Sequence, residues 1–535
     1  MGSKRLCRAR SLTSFHVSLC FLLLMVLGAF PLQVLGAETS IVIGLTGDAE
    51  SLDPHVTAIS TTGSYQANIF ETLIYRGPNL EEKPGLAVSW EPEGENAWIF
   101  HLRKGVKFHN GEPFNAQVAK WALDRAKTHP KSLTKGQLAQ VKEVQVVDDY
   151  TIRLVTYGPS PDIPRNMFNV YIVPMRYLQE VGDEVFGRKP VGTGPYKFVE
   201  WIKDQHVKLE RWEEYWGPKP PIKYVTYRPI PEDATRVAAL LRGEIDVAEA
   251  VPVVDIPRIE RSPNARVIRK PGLRLIYLAF DTKRKFGGPP PEGSPGIPEG
   301  QPNPFLDKRV RQAIYYGVNE DELLQYVMEG SGQAAAQMIP PPVFGYIPDL
   351  ERYPYDPEKA KKLLAEAGYP QGFSVRLDTP NDRYINDEEL AVAIAGQLKK
   401  IGLNVTVNAQ PRAIFFPKLM RQYENSFHLS GWAGSIGAYN LLALVGCFDK
   451  KTGFGRANYG QYCNPELDEV IKTINRTIDP KERMKYFRKA AEIIHEEVPK
   501  IPLHYQELIV GISNKFDMDV RVDEQIWAKE IKPRE

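Results

Sequence analysis

Ser435 lies in Ala433-Gly434-Ser435-Ile436-Gly437, which resembles the strand-to-helix turn that presents a nucleophilic serine, with Ala in place of the first glycine. Such a serine needs a histidine base, and His495 and His504 follow it in the order found in α/β-hydrolases. The turn also needs a strand before it and a helix after it. Phe427 to Gly431 and Tyr439 to Val445 have the composition for each. Short Gly/Ser patterns also arise by chance. A secreted serine hydrolase using Ser435 therefore competes with a plain glycine-rich turn and with a turn that touches a ligand at a cleft.

Other arrangements lack parts. His495-Glu496-Glu497 has no second histidine four residues after the first, so one helix face cannot hold zinc in the zincin manner. Asp517, Asp519 and Asp523 suggest calcium, but Arg521 and a missing glycine break the loop pattern, and they read as solvated acids. Gly192-Thr193-Gly194-Pro195-Tyr196 precedes the strand-like Lys197 to Val199 rather than the helix a phosphate loop requires, so it reads as a structural turn. No metal or cofactor is expected. Cys447 and Cys463 enclose a short loop with no histidine. In an oxidising compartment such a pair forms a disulfide, and closing about 15 residues contributes about 3 kcal/mol in the chain-entropy model.

The elements that would position these residues read as alternating strands and helices. Ile41 to Thr46, Trp98 to Leu102 with Val106 to Phe108, Leu273 to Phe280, Ile501 to Tyr505 and Leu508 to Ile512 read as strands. Pro113 to Lys127 carries apolar residues near a 3.6 period. Asp356-Pro357, Asn464-Pro465 and Asp479-Pro480 each supply a cap and a first-turn proline, and Gly368 ends the first of these helices. A helix from about 387 to 401 lies between Phe373 and the alternating Asn404 to Val407, which makes a β-α-β unit and predicts an α/β architecture. Pro and Gly dominate 286–304, so this stretch is a loop. Domain crossings are placed near there and after Tyr505, giving two lobes with both chain ends in the first.

The chain has 535 residues, 68 Lys plus Arg against 66 Asp plus Glu, and a formal net charge of +2. That length predicts about three domains or subdomains. No basic excess exists to release counterions, so nucleic acid is excluded as a partner. The first 37 residues hold Lys4, Arg5, Arg8 and Arg10 with no acid, an apolar run from Leu19 to Phe30, then Pro31 and the small residues Gly36 and Ala37. This is the order of a cleaved secretory signal, and the run falls short of the roughly 20 residues that cross a bilayer. Neither Cys7 nor Cys20 stands where an acylated cysteine would. Cleavage near Gly36 or Ala37 leaves 64 basic and 66 acidic residues, a net charge of −2.

Several segments, in order, resemble the solute-binding proteins of ABC importers, the large family that includes periplasmic dipeptide-, oligopeptide- and nickel-binding proteins. They are Ser51-Leu52-Asp53-Pro54, the stretch WIFHLRKGVKFHNGEPF from Trp98 to Phe114, PVGTGPY from Pro190 to Tyr196, GEIDV from Gly243 to Val247, RVRQAI from Arg309 to Ile314, and YDPEKAKKLL from Tyr355 to Leu364. The resemblance implies a two-lobed periplasmic clamshell of the type II kind. Residues 38–80, 185–280 and 506–535 would form lobe I, 81–184 a subdomain inserted in it, and 281–505 lobe II. It implies a monomer that closes on a small solute and delivers it to membrane permease subunits without catalysing a reaction.

Peptide-binding members carry Gly-Trp followed, three residues after the Trp, by an Asp that pairs with the peptide amine. Gly431-Trp432 is present here, but Ser435 stands at the third position and Ala438, Tyr439 and Asn440 follow. An ammonium buried without its carboxylate loses a charge-assisted hydrogen bond of about 1.5–3 kcal/mol. A free peptide amine therefore lacks its usual anchor. Trp432 and Tyr439 offer flat faces, Ser435 and Asn440 polar groups, and Arg383 and Arg412 charges for a carboxylate, which suits a peptide, an opine-like or a sugar-like solute. The Cys447 and Cys463 pair matches the disulfide of the dipeptide-like branch.

Overall fold

Two long strands, Ala265–Phe280 and Lys500–Ser513, run antiparallel through the middle of an 11-stranded sheet. On one side follow Phe427–Ala433, Ser374–Pro380 and Asn404–Gln410. On the other follow Val247–Ala248, Ser40–Leu45, Tyr224–Pro229, His206–Arg211 and Tyr196–Ile202. This computed structural model describes residues 39–534 apart from 58, 59, 423, 425 and 452, so the expected signal segment lies outside the described residues.

The long strands are apolar on both faces because each face is buried. Leu273, Leu275, Tyr277 and Ala279 point into one core, while Ile276, Leu278 and Phe280 point into another. Their register breaks between Pro271 and Leu275, opposite Tyr505 and Glu507. Pro271 has no N–H to give the ladder. Gly272 beside it leaves room for the close approach of the two strands, since a Cβ there would press on the Gln506 carbonyl oxygen at 3.0 Å. At this break the pairing of Lys500–Ser513 passes from one half of the sheet to the other. Ile512 and Gly511 meet Val247 and Ala248, whereas Leu275 to Phe280 also pair with Phe427–Trp432.

The expected β-α-β unit is present: Ser374–Pro380 pairs in parallel with Asn404–Gln410, and helix Asp387–Lys399 connects them. A second, four-stranded sheet runs in the order Ala87–Pro92, Ala97–Leu102, Thr151–Thr156, Val141–Asp148. Its Phe100, Ile152 and Leu154 share one core with Ile41, Ile43 and Tyr227. The proline-marked helices form as expected. Asp356 Oδ1 accepts from Lys359 N at 2.9 Å and Asp479 Oδ1 from Glu482 N at 2.8 Å, before helices Pro357–Glu366 and Pro480–Glu497. Cys447 and Cys463 are joined as a disulfide.

Several local expectations change. The helix expected from Pro113 spans Ala116–Thr128, because Asn115 caps it by accepting from Val118 N at 3.1 Å. Val106 to Phe108 is not a strand; Lys107 makes only an isolated bridge to Pro113. The two expected segments after Lys500 are one continuous strand. Asp523 is not a solvated acid: its carboxylate pairs with Arg76 at 2.9 Å and Arg521 at 2.8 Å, in a nearly dry site. Gly192 is a structural turn as expected, since a Cβ there would lie 2.0 Å from the Ile69 carbonyl. No helix among the described residues is long and apolar enough to cross a membrane.

Candidate functional site

The strand Phe427–Ala433 delivers Trp432 to the register break, with Leu275 opposite it and Arg274 opposite Ala433. Helix Gly437–Val445 begins after a three-residue turn. The strand-turn-helix frame around Ser435 is therefore present, but the base is not. His495 Nε2 bonds the Glu351 carbonyl at 3.0 Å, and buried His504 bonds Glu320 Oε1 at 2.8 Å, so both histidines are engaged elsewhere. Ser435 instead lines an open groove of about 470 Å³ together with Glu82, Arg165, Phe344 and Tyr346.

Asn440 is fully buried and both halves of its amide are satisfied within the protein. Its Oδ1 accepts from Trp432 Nε1 at 3.0 Å, and its Nδ2 donates to the Gly434 carbonyl at 3.0 Å. Asn440 thus orients the indole and fixes the turn. The Tyr439 ring lies 6.1 Å from that of Trp432, inclined by 37°. Arg456, from the disulfide-closed loop, stands 5.9 Å from the Trp432 ring and 5.0 Å from the Tyr439 ring. The result is an aromatic wall with one exposed cation at its edge.

Arg383 sits on a second wall built on Tyr384. Gly431 permits it: a Cβ there would stand 2.7 Å from the Tyr384 ring. The Tyr384 hydroxyl donates to the Gly431 carbonyl at 3.3 Å, and its ring carries Arg383 at 5.4 Å and Arg274 at 6.0 Å. Arg274 is neutralised by Glu524 at 2.9 Å. Arg383 has no carboxylate within salt-bridge reach among the described residues; desolvation and then the charges of Arg274 and Arg412 hold its guanidinium below the usual arginine range. Arg412 is exposed and pairs with Asp382 at 3.9 Å, and Asp382 Oδ1 also accepts the Arg412 backbone N–H at 2.6 Å. The structure therefore gathers Trp432, Tyr439 and Asn440 in one cluster and Arg383 and Arg412 in another, with Arg274 between them.

Sequence reasoning passed over Arg274, Tyr384, Glu524 and Glu249. Glu249 follows the strand Val247–Ala248, at the carboxyl ends of the parallel strands where α/β sheets bind ligands. Thr46 donates to Glu249 Oε2 from its backbone N–H at 2.7 Å and its hydroxyl at 2.9 Å. Desolvation raises the Glu249 pKa, and the charge of Glu524 adds to that rise. Among the described residues no group of three or more metal-binding side chains is gathered.

These features define a binding protein of the α/β clamshell class, with aromatic faces and a few charged groups beside the register break of its two central strands. The model for bacterial extracellular solute-binding proteins, family 5 (middle), matches residues 81–445, and the chain belongs to this family of ABC-importer binding components. The dipeptide-binding protein of Escherichia coli K12 is 28% identical over 505 residues, covering 88% of this chain and 89% of that one. Heme-binding protein A of Haemophilus influenzae is 28% identical over 481 residues, covering 82% of each. The Helicobacter pylori periplasmic binding protein DppA, solved in complex with the peptide STSA, superposes with a TM-score of 0.71 at 27% identity over 93% of this chain and 99% of that one.

Proposed function

We infer that this chain is exported to the periplasm, loses residues 1–37, and delivers a carboxylate-bearing peptide or peptide-like solute to its permease without catalysing a reaction. In this reading lobe I comprises 38–80, 185–280 and 506–535 with 81–184 inserted in it, lobe II comprises 281–505, and the protein acts as a monomer. The relatives' printed ligands, a dipeptide and the peptide STSA, both carry carboxylates. One observation supports the choice: among the described residues Arg383 has no carboxylate within salt-bridge reach, while Arg274, which shares the Tyr384 ring with it, is neutralised by Glu524. A bound carboxylate restores that balance through a charge-assisted pair. Trp432 and Tyr439 would then receive the apolar part.

Native mass spectrometry of the protein isolated from the periplasm should return a solute containing a carboxylate; a neutral sugar would overturn the reading. Titration calorimetry with that solute should show at least a tenfold loss, about 1.4 kcal/mol, for Arg383→Ala. A serine-directed fluorophosphonate should leave Ser435 unlabelled, and stoichiometric labelling lost in Ser435→Ala would restore the hydrolase. Sequencing the secreted protein should place its first residue near Ala37 or Glu38.

A further inference from the structure

Glu524 lies in the left-handed region of backbone space, with φ of +66°. A residue with a Cβ adopts that conformation at a steric cost, so its surroundings must hold it there. Anchoring of the C-terminal segment does not account for the strain, because the flanking residues already supply the anchors. Before Glu524, Asp523 pairs with Arg76 and Arg521. After it, Ile526 N donates to Ser64 Oγ at 2.9 Å, the Ile526 carbonyl accepts from the Tyr227 hydroxyl at 3.0 Å, and Lys529 N donates to Asn68 Oδ1 at 3.0 Å. The strained backbone aims the Glu524 carboxylate at Arg274, 2.9 Å away, in a partly buried pair.

Arg274 in turn lies over the Tyr384 ring that also carries Arg383. Tyr384 is otherwise held at two points. The backbone N–H groups of Arg383 and Tyr384 both donate to Asp387 Oδ2 at 3.0 Å, and the Tyr384 hydroxyl donates to the Gly431 carbonyl at 3.3 Å. Two guanidinium groups that share one ring repel each other unless one of them is neutralised. Glu524 neutralises Arg274, so that Arg274 can cover the ring while Arg383 stays beside it. The line from Glu524 through Arg274 and Tyr384 to Arg383 has no step longer than 6.0 Å. We propose that Glu524 is a positioning residue for the solute site: through Arg274 it sets where the Tyr384 ring and Arg383 stand. The C-terminal segment thereby takes part in binding without touching solute. The proposal rests on the role given to Arg383 above.

The test labels mature protein with 3-fluorotyrosine and identifies the Tyr384 resonance in the fluorine NMR spectrum by its loss in Tyr384→Phe. Glu524→Gly removes the carboxylate and suits the positive φ. It should shift the Tyr384 resonance and leave in place that of Tyr150, in the turn between Val141–Asp148 and Thr151–Thr156. Arg274→Met should shift the Tyr384 resonance as well, and adding Glu524→Gly to Arg274→Met should move it no further, since the two act along one line. An unmoved Tyr384 resonance in Glu524→Gly overturns the proposal, as does a further shift in the double variant or an equal shift at Tyr150. A co-purified solute without a carboxylate overturns the role of Arg383 in binding and leaves the coupling of Glu524 to Tyr384 standing.

Discussion

Lys500 illustrates how one buried side chain contributes to the pH response of the fold. It is buried at the start of a central strand, opposite Ala279, with its ammonium 4.8 Å from the Tyr277 ring and no salt bridge among the described residues. Desolvation lowers its pKa from 10.5 to about 7. Across Ala279 lies His428, also buried, with neither ring nitrogen bonded and its pKa lowered by burial and then by the Lys500 charge. Between about pH 7 and 10 the unfolded chain holds a proton on Lys500 that the folded chain has released, so this residue's contribution to stability rises with pH in that window. Lys500→Met should therefore flatten the pH dependence and stabilise the protein at pH 6 by about 1–4 kcal/mol. Urea midpoints at pH 6 and pH 9 measure both effects; an unchanged pH slope would refute the account.

At the scale of elements, the disulfide joins the end of helix Gly437–Val445 to the start of helix Pro465–Ile474, and Cys447 N also donates to Asp468 Oδ1 at 2.9 Å. The closed loop carries Arg456 against Trp432 and Tyr439. Replacing both cysteines by serine should cost about 3 kcal/mol of stability and also weaken solute binding, because the aromatic wall loses its fixed edge. Thermal melts and calorimetry in one buffer separate the two. Helix starts at Asp356, Asn464 and Asp479 were readable because capping is local chemistry. The strand Lys500–Ser513 was harder. Gln506 and Glu507 interrupt its apolar pattern where it passes the register break, so it reads as two strands.

At the scale of the molecule, Asp162 accepts two hydrogen bonds from Arg483, at 2.8 and 2.5 Å, across 321 residues of chain. The arginine is almost fully buried and the acid partly so, and Arg165 stacks 4.4 Å from Phe344 beside them. These contacts tie the segment assigned to the inserted subdomain to a helix assigned to lobe II, so they must respond to any hinged closure. Removing one partner of a fully buried pair costs about 3–5 kcal/mol, and the partial exposure of Asp162 lowers that figure here. Asp162→Asn should lower the melting temperature and enlarge the radius of gyration of solute-free protein in small-angle X-ray scattering. An unchanged radius would show that the pair does not restrain the lobes.

The order of segments from Ser51 to Leu364, the capped helices, the β-α-β unit and the Gly431-Trp432 turn were legible in the sequence because each depends on neighbours within a few residues. Asp523 reads as solvated in the sequence because Arg76, which pairs with it alongside the neighbouring Arg521, is hundreds of residues away and the burial of all three is not written in local spacing. Glu249, Arg274, Tyr384 and Glu524 carry no local signature, and none is near Trp432 in the chain. The meeting of Arg274 with Tyr384 and Glu524 depends on the register of Ala265–Phe280 against both Phe427–Ala433 and Lys500–Ser513, where a slip of one residue turns every side chain to the other face. The sequence by itself determined the family, the α/β architecture and the absence of the usual acid after Trp432. Only the tertiary structure decided which charges pair with which, as Arg274 does with Glu524 and Asp523 with Arg76, because pairing is settled by strand register and burial rather than by spacing along the chain.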